Sequence, residues 1–257
     1  EDNVPKNIEF HKGDCCDFEK IKSIMKGVEV VYHCAATAHE GLSVFSPYEI
    51  TKNNYLASVS IFSAAVNEKV KRIIFCSSMA RYGGQQTPFT EEMKPTPVDP
   101  YAISKLEAEN TLRKIAQKSS MEIVIIRPPL VYGQGVKGNF QRLSRLVELG
   151  IPLPFSSIKN KRSLISLDNL LQILSKAVID PAVANQTLLV SDALDLSTPQ
   201  LIKKIANSIG KPARLFPFPV KLLKILGKLT RQSETINRLT ENLQIDGISH
   251  LGSDPKS

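Results

Sequence analysis

The strongest constraint on the fold is a rhythm. Short apolar runs alternate with longer stretches whose apolar residues recur every three or four positions. The runs are Ile8-Glu9-Phe10-His11, Val28 to His33, Arg72 to Cys76 and Glu122 to Arg127. Between them, Asp17 to Lys26, about Pro47 to Lys69, and Tyr101 to Lys118 read as helices. Strands and helices taking turns in this way predict βαβ units and an α/β fold with a parallel, doubly wound sheet. The strand runs lack polar alternation, as expected for a sheet covered on both faces. After Gly133 the texture changes. Helices are predicted near 140–149, 168–179 and 198–209, with a strand over 187–190. The two prolines of Ile151 to Phe155 forbid a regular element there. A sheet domain over 1–133 and a smaller lobe over 134–257, returning to the sheet near 164–195, is the expected division.

Composition narrows the class. Of 257 residues 42% are hydrophobic, enough to build a sizeable core. No apolar run approaches the 18 or so residues of a membrane span. The first residues carry no basic and apolar signal, so a cytoplasmic protein is expected; lacking a methionine, the start reads as that of a fragment or processed product. The net charge of +8 suggests nucleic acid, but residues 201–240 hold nine basic side chains and one acid and account for all of it. The body is neutral, and no nucleic-acid partner is expected. Within that region Lys221 to Leu229 is a basic amphipathic helix. It suits either a membrane surface or a lobe helix with leucines inward and lysines outward; the second reading is adopted, and membrane contact is not expected. Cys15, Cys16, Cys34 and Cys76 form no CxxC pattern and read as buried, reduced thiols. The four histidines have no metal-ligand spacing, so no metal site is expected.

The chemistry-bearing residues begin with Tyr101-Ala102-Ile103-Ser104-Lys105, opening a helix. A spacing of four puts Tyr101 and Lys105 on one helical face. An ammonium beside a phenol lowers its pKa and makes the phenolate an accessible base. Alone the spacing is weak, since such pairs arise by chance. Upstream, the strand ending Phe75-Cys76 runs into Ser77-Ser78-Met79-Ala80-Arg81-Tyr82-Gly83. Ligands of open parallel sheets bind at the carboxyl ends of strands, and a hydroxyl there can share a proton with Tyr101.

The set Ser-Ser, Tyr-Gly and Tyr-x-x-x-Lys resembles the extended short-chain dehydrogenase/reductase family, the NAD-dependent nucleotide-sugar epimerases and dehydratases. Lys12-Gly13-Asp14, His33-Cys34-Ala35-Ala36, Asn54, Asp99-Pro100-Tyr101, Arg127 to Gly133, Val136 to Phe140 and Lys161 to Ile165 match the family in order, over about residues 8–210. The resemblance implies Tyr101 as general acid/base, Lys105 as its partner and Ser78 as the orienting hydroxyl. It implies Asp14, Cys15, Ala35, Ala36, Asn54, Ser77, Tyr101, Lys105 and Pro128 at a dinucleotide, NAD or NADP. It implies Ser78, Arg81, Asn139, Phe155 and Arg162 at a UDP-sugar. The first domain would then bind the dinucleotide and the lobe the nucleotide-sugar. A homodimer through the helices at about 47–69 and 101–118 is also implied. Arg162 has the bidentate donors that suit a pyrophosphate, though it also reads as a surface arginine, and Asn139 also reads as a plain helix cap.

The sequence departs from the family in informative places. No strand and glycine-rich turn precede Ile8, so a first strand-helix-strand unit of roughly 40–55 residues is expected to be missing. The literal G-x-G-x-x-G at Gly133 to Gly138 is read as a decoy, because its strand carries two prolines. Met79-Ala80 stands where the dehydratase branch has Asp-Glu, which argues against dehydration. Leu130 replaces the substrate-contacting Asn of many hexose epimerases. Glu40 to Ser43 and Ser77 to Gly83 resemble UDP-glucose 4-epimerases, whereas Arg127 to Leu167 resembles enzymes of UDP-N-acetyl sugars. The expected activity is 4-epimerisation of a UDP-hexose or UDP-N-acetylhexosamine. The alternatives are an NAD(P)H-dependent reductase of a UDP-4-keto-6-deoxy sugar and a non-catalytic remnant.

Overall fold

The computed structural model describes residues 5, 7–37, 46–136 and 139–246, apart from the side chains of Asn139 and Glu234. The motif at 40–43, the end of the Gly133 to Gly138 segment and the tail beyond 246 lie outside the described residues. In order, the elements are α1 (Phe18–Ile24), β1 (Val30–His33), α2 (Pro47–Ile50), a π-helical turn (Thr51–Leu56), α3 (Ala57–Asn67), β2 (Arg72–Cys76), a 3-10 turn (Met79–Tyr82), α4 (Pro100–Ala116), β3 (Glu122–Arg127), β4 (Leu130–Tyr132), α5 (Asn139–Glu148), β5 (Leu164–Ser166), α6 (Leu167–Ile179), a 3-10 turn (Pro181–Val183), β6 (Thr187–Leu189), α7 (Thr198–Ser208), α8 (Val220–Leu229) and α9 (Ser233–Thr240).

The chain divides into two compact units, and both are discontinuous. The first holds Glu1–Gly83, Pro97–Ile126 and Ala177–Thr187; the second holds Gly84–Thr96, Arg127–Lys176 and Leu188–Ser257. The first unit carries β1, β2 and β3 side by side in that order, all parallel. Ile73, Phe75, Ile123 and Ile125 of its strands pack with Phe62 of α3 and Leu112 of α4 in one core. The helices cover the strands, which is why Ile73 to Phe75 of β2 and Ile123 to Ile126 of β3 could be apolar without interruption. Arg72 begins β2 yet is buried. Its guanidinium donates to the carbonyls of Ala177, Val178 and Asp180, the orphan acceptors ending α6, and pairs with Glu122.

Ile8-Glu9-Phe10-His11 is not a strand. A strand exists only through a neighbour's hydrogen bonds, and none of the described strands lies beside it; Ile8 and Phe10 are exposed. The helix predicted over 47–69 is interrupted by the π-helical turn at Thr51–Leu56.

The second unit has the short parallel pair β4-β5. Its core gathers Leu143 and Val147 of α5, Leu153, Phe155, Ile158, Ile202 and Ile205 of α7, and Leu223 of α8. α8 overturns the expectation of leucines inward and lysines outward. Only Leu223 and Gly227 of this helix are buried; Leu222, Ile225, Leu226 and Leu229 are exposed beside the lysines. Gly227 explains the orientation. A Cβ there would lie 2.9 Å from Ile236 Cγ1, so the glycine lets α9 approach α8 closely. Among the described residues no helix is long and apolar enough to cross a membrane, and no group of three or more candidate ligands could hold a metal ion.

Candidate active site

Tyr101 stands in the first turn of α4. Asp99 caps that helix by accepting from the Ala102 N–H at 2.8 Å, and Pro100 begins it with its φ already set. Tyr101, Lys105 and Glu109 follow at intervals of four on one face. Lys105 is 4% exposed. Its Nζ donates to the Cys76 carbonyl at the end of β2 at 2.8 Å and lies 4.9 Å from the centre of the Phe75 ring. Burial pulls its pKa down to about 8, against the opposing pull of Cys76, Cys34 and Glu109. An ammonium is thereby held beneath the carboxyl end of β2, one turn from Tyr101.

The loop after β2 is anchored from the same helix. Ser77 is buried and donates to Glu109 Oε1; Arg81, also buried, pairs with Glu109 Oε2. Glu109 is fully enclosed, so two partners on one loop are tied to one carboxylate of α4. Ser78 faces differently. It is half-buried, and its Oγ accepts from the Ala80 N–H at 3.1 Å, capping the 3-10 turn while keeping its own proton available.

A second buried network supports the turn at Tyr101. Asn54 sits inside the π-helical turn, a feature often found at functional sites. Its Oδ1 accepts from the Thr37 N–H at 2.7 Å, and its Nδ2 donates to Ser104 Oγ at 3.2 Å. Ser104 in turn donates to the Tyr101 carbonyl at 2.8 Å. His33, closing β1, is buried with its pKa pushed down to about 3 by desolvation and then by the Lys105 charge. It is a neutral imidazole. Ser58 gives its proton to the Asn54 carbonyl, so His33 Nε2 is the protonated nitrogen and donates to Ser58 at 2.7 Å.

The remaining expected positions are less uniform. Ala35 is exposed and Ala36 half-buried just beyond β1. Asp14 is exposed, accepts from the Cys16 N–H and pairs with Lys52 at 3.4 Å. Cys15 packs half-buried against the first unit's core, and Cys34 is exposed, against the expectation of four buried thiols. Two expected substrate contacts have other work. Arg81 is spent on Glu109, and Phe155 is buried in the second unit's core. Arg162 is half-buried, and its Nη1 donates to the carbonyls of Arg238 and Glu241 where α9 ends. Asn139 begins α5, and Pro128 is half-buried between β3 and β4. Gly133 and Gly135 both have positive φ, so this stretch is a turn after β4.

The protein-family model described as the NAD dependent epimerase/dehydratase family matches residues 1–187. The chain belongs to this family. UDP-glucose 4-epimerase of Vibrio cholerae is 41% identical over 260 residues, covering 96% of this chain and 77% of that protein. An Escherichia coli O157:H7 4-epimerase of N-acetyl-α-D-glucosaminyl-diphospho-ditrans,octacis-undecaprenol is 26% identical, covering 88% of this chain and 70% of that protein. Among solved structures, UDP-glucose 4-epimerase of Thermotoga maritima with UDP-glucose superposes with a TM-score of 0.77 at 22% identity, over 96% of this chain and 78% of that one. The dTDP-glucose 4,6-dehydratase of Streptomyces venezuelae with NAD gives the same TM-score at 19% identity, over 95% and 73%. This chain shares the Rossmann-like α/β fold of these two solved structures.

As an NAD-dependent epimerase/dehydratase the chain is an enzyme, and its residues fit the family's cofactor. Ala35, exposed, and Ala36, half-buried, put two small side chains just beyond the end of β1. Lys105 has three donors, of which one reaches Cys76. Glu109 was not predicted as part of the site. Its signal was present as a third position in the Tyr101–Lys105 register, but an acid at that spacing is also common on solvent-exposed helices.

Proposed function

We propose that this enzyme is an NAD-dependent nucleotide-sugar 4-epimerase acting on a UDP-hexose or UDP-N-acetylhexosamine. The observation that carries the reading is Lys105, buried one turn below Tyr101 and held on the carbonyl that ends β2. The relatives named for 4-epimerase activity support the reaction class, and 41% identity to a UDP-glucose 4-epimerase supports a UDP-hexose.

The Lys105 ammonium stabilises the Tyr101 phenolate, which takes the proton of the sugar C4 hydroxyl. Ser78 donates its proton toward the same oxygen and holds it in place. The Asn54–Ser104 network fixes the helical turn carrying Tyr101, and Glu109 fixes the loop carrying Ser78. NAD, when bound, supplies the hydride acceptor and donor at C4, and Ala35, Ala36 and Lys105 would hold it. After the 4-keto group turns its other face, Tyr101 returns the proton. Met79 is buried and Ala80 follows it in the 3-10 turn, so this turn offers no acid-base pair for dehydration. Asn139 and Arg162 are proposed at the nucleotide diphosphate. Exposed Tyr48, Leu56 and Ile103 on α2, the π-helical turn and α4 support a homodimer through these helices.

The test is incubation of the purified chain with NAD and UDP-glucose or UDP-N-acetylglucosamine, followed by proton NMR. Appearance of the C4 epimer is expected. Consumption of NADH with a 4-keto sugar as the only turnover overturns epimerisation in favour of reduction. Binding of UDP-sugar with no turnover favours a non-catalytic role.

A further inference from the structure

β1 and β2 run parallel, with His33 opposite Phe75. The next residues on each strand are Cys34 and Cys76, so both thiols emerge side by side at the carboxyl edge of the sheet. Neighbouring strands lie about 4.8 Å apart, inside the roughly 4.4–6.8 Å of Cα separation a disulfide spans. The two Sγ atoms are 3.3 Å apart. Cys34 is exposed, so an oxidant reaches it, and Cys76 is half-buried behind it. We infer that Cys34 and Cys76 are a redox modification site, a thiol pair that peroxide closes to a reversible disulfide beside Lys105.

The electrostatics divide the labour. The hydrogen bond from Cys76, and then the Lys105 ammonium, hold the Cys34 thiol down to about 7. Cys76 is pushed up by the same hydrogen bond and by burial, so it keeps its proton. Cys15 and Cys16 are both pushed up, by burial first and by the charge of Asp14. They are poor competitors for an oxidant.

The chemistry balances with peroxide as the oxidant. The Cys34 thiolate attacks the O–O bond; an S–O bond forms and hydroxide leaves, giving a sulfenic acid. The Cys76 sulfur attacks Cys34; the S–S bond forms, the S–O bond breaks, and the hydroxyl departs as water with the Cys76 proton. The two thiols lose two electrons and peroxide becomes two waters. A small dithiol reverses the step by exchange.

The consequence for turnover rests on the function proposed above. Closing 3.3 Å to about 2.05 Å draws Cys76 toward Cys34, and the Cys76 carbonyl is the acceptor that holds Lys105. Displacement of an ångström in catalytic machinery costs up to about 100-fold, and a fall of about tenfold is expected here.

The experiment treats the full chain with hydrogen peroxide, blocks the remaining thiols and measures intact mass, mapped peptides and turnover, for wild type, Cys34→Ser and Cys76→Ser. Loss of two hydrogens with a Cys34–Cys76 linked peptide is expected in wild type and absent from both variants. Turnover falls on oxidation and recovers with dithiothreitol, whereas each variant has the same rate before and after treatment. Oxygen adducts without a cross-link, or a link through Cys15 or Cys16, overturn the pair. A Cys34–Cys76 link with unchanged turnover overturns its effect on the site. Reduced wild type with no turnover at all defeats the proposed function instead, and the mass result still decides the pair.

Discussion

In the proposed mechanism Lys105 has two properties that its burial sets against each other. Burial holds its charge one helical turn from Tyr101, and burial also pulls its pKa to about 8. The ammonium is therefore present below about pH 8 and lost above it. Turnover by the wild type is expected to fall on the alkaline side with a midpoint near pH 8. In Lys105→Arg, whose charge persists, a slower rate without that alkaline limb is expected from the same pH series. Glu109 carries a different prediction. It is fully enclosed and pairs with Arg81. Breaking a buried pair from one side leaves an uncompensated charge, so Glu109→Ala is expected to cost about 3–5 kcal/mol in urea unfolding. The difference in legibility between the two residues is physical. Tyr101 and Lys105 are joined by local helical geometry, which spacing reveals. Glu109 reaches Ser77 and Arg81 across 32 and 28 residues of chain, and no local pattern encodes that closure.

The elements follow the same logic. β2 and β3 match their predicted runs residue for residue, because strands buried on both faces leave an unmistakable apolar signature. Ile8 to His11 has the composition of a strand, but strands need partners, and its partner is not set by its own residues. The π-helical turn around Asn54 was invisible, and the hydrogen bonds that Asn54 makes within it, to Thr37 and Ser104, are tertiary and leave no local pattern. α8 was legible as a helix and misread in its facing. Its periodicity offers two candidate inner faces, and the close approach to Ile236 at Gly227 selects one. Gly227→Ala is accordingly expected to destabilise the second unit by about 1–3 kcal/mol, as an overpacked contact does, with thermal unfolding as the measurement. Alanine's higher helix propensity would favour the substitution at an open position, so an increase in stability would show that α9 does not pack this closely.

Across the whole molecule, the strand-helix rhythm disclosed the α/β class, and the serines, tyrosine and lysine disclosed the family. The division into units was less legible. A boundary at 133 with a return to the sheet near 164–195 was expected; Ala177–Thr187 groups with the first unit, and Gly84–Thr96 groups with the second. The grouping of Gly84–Thr96 depends on contacts between distant segments, which a linear reading does not contain. The proposed chemistry converges on one side chain, Tyr101. The direct measurement is epimer formation from UDP-glucose by wild type and Tyr101→Phe at equal protein concentration, with thermal unfolding of both. A fall of about 100-fold or more, the usual contribution of a positioned acid/base, with unchanged unfolding is the predicted result. An undiminished rate in Tyr101→Phe would contradict the account.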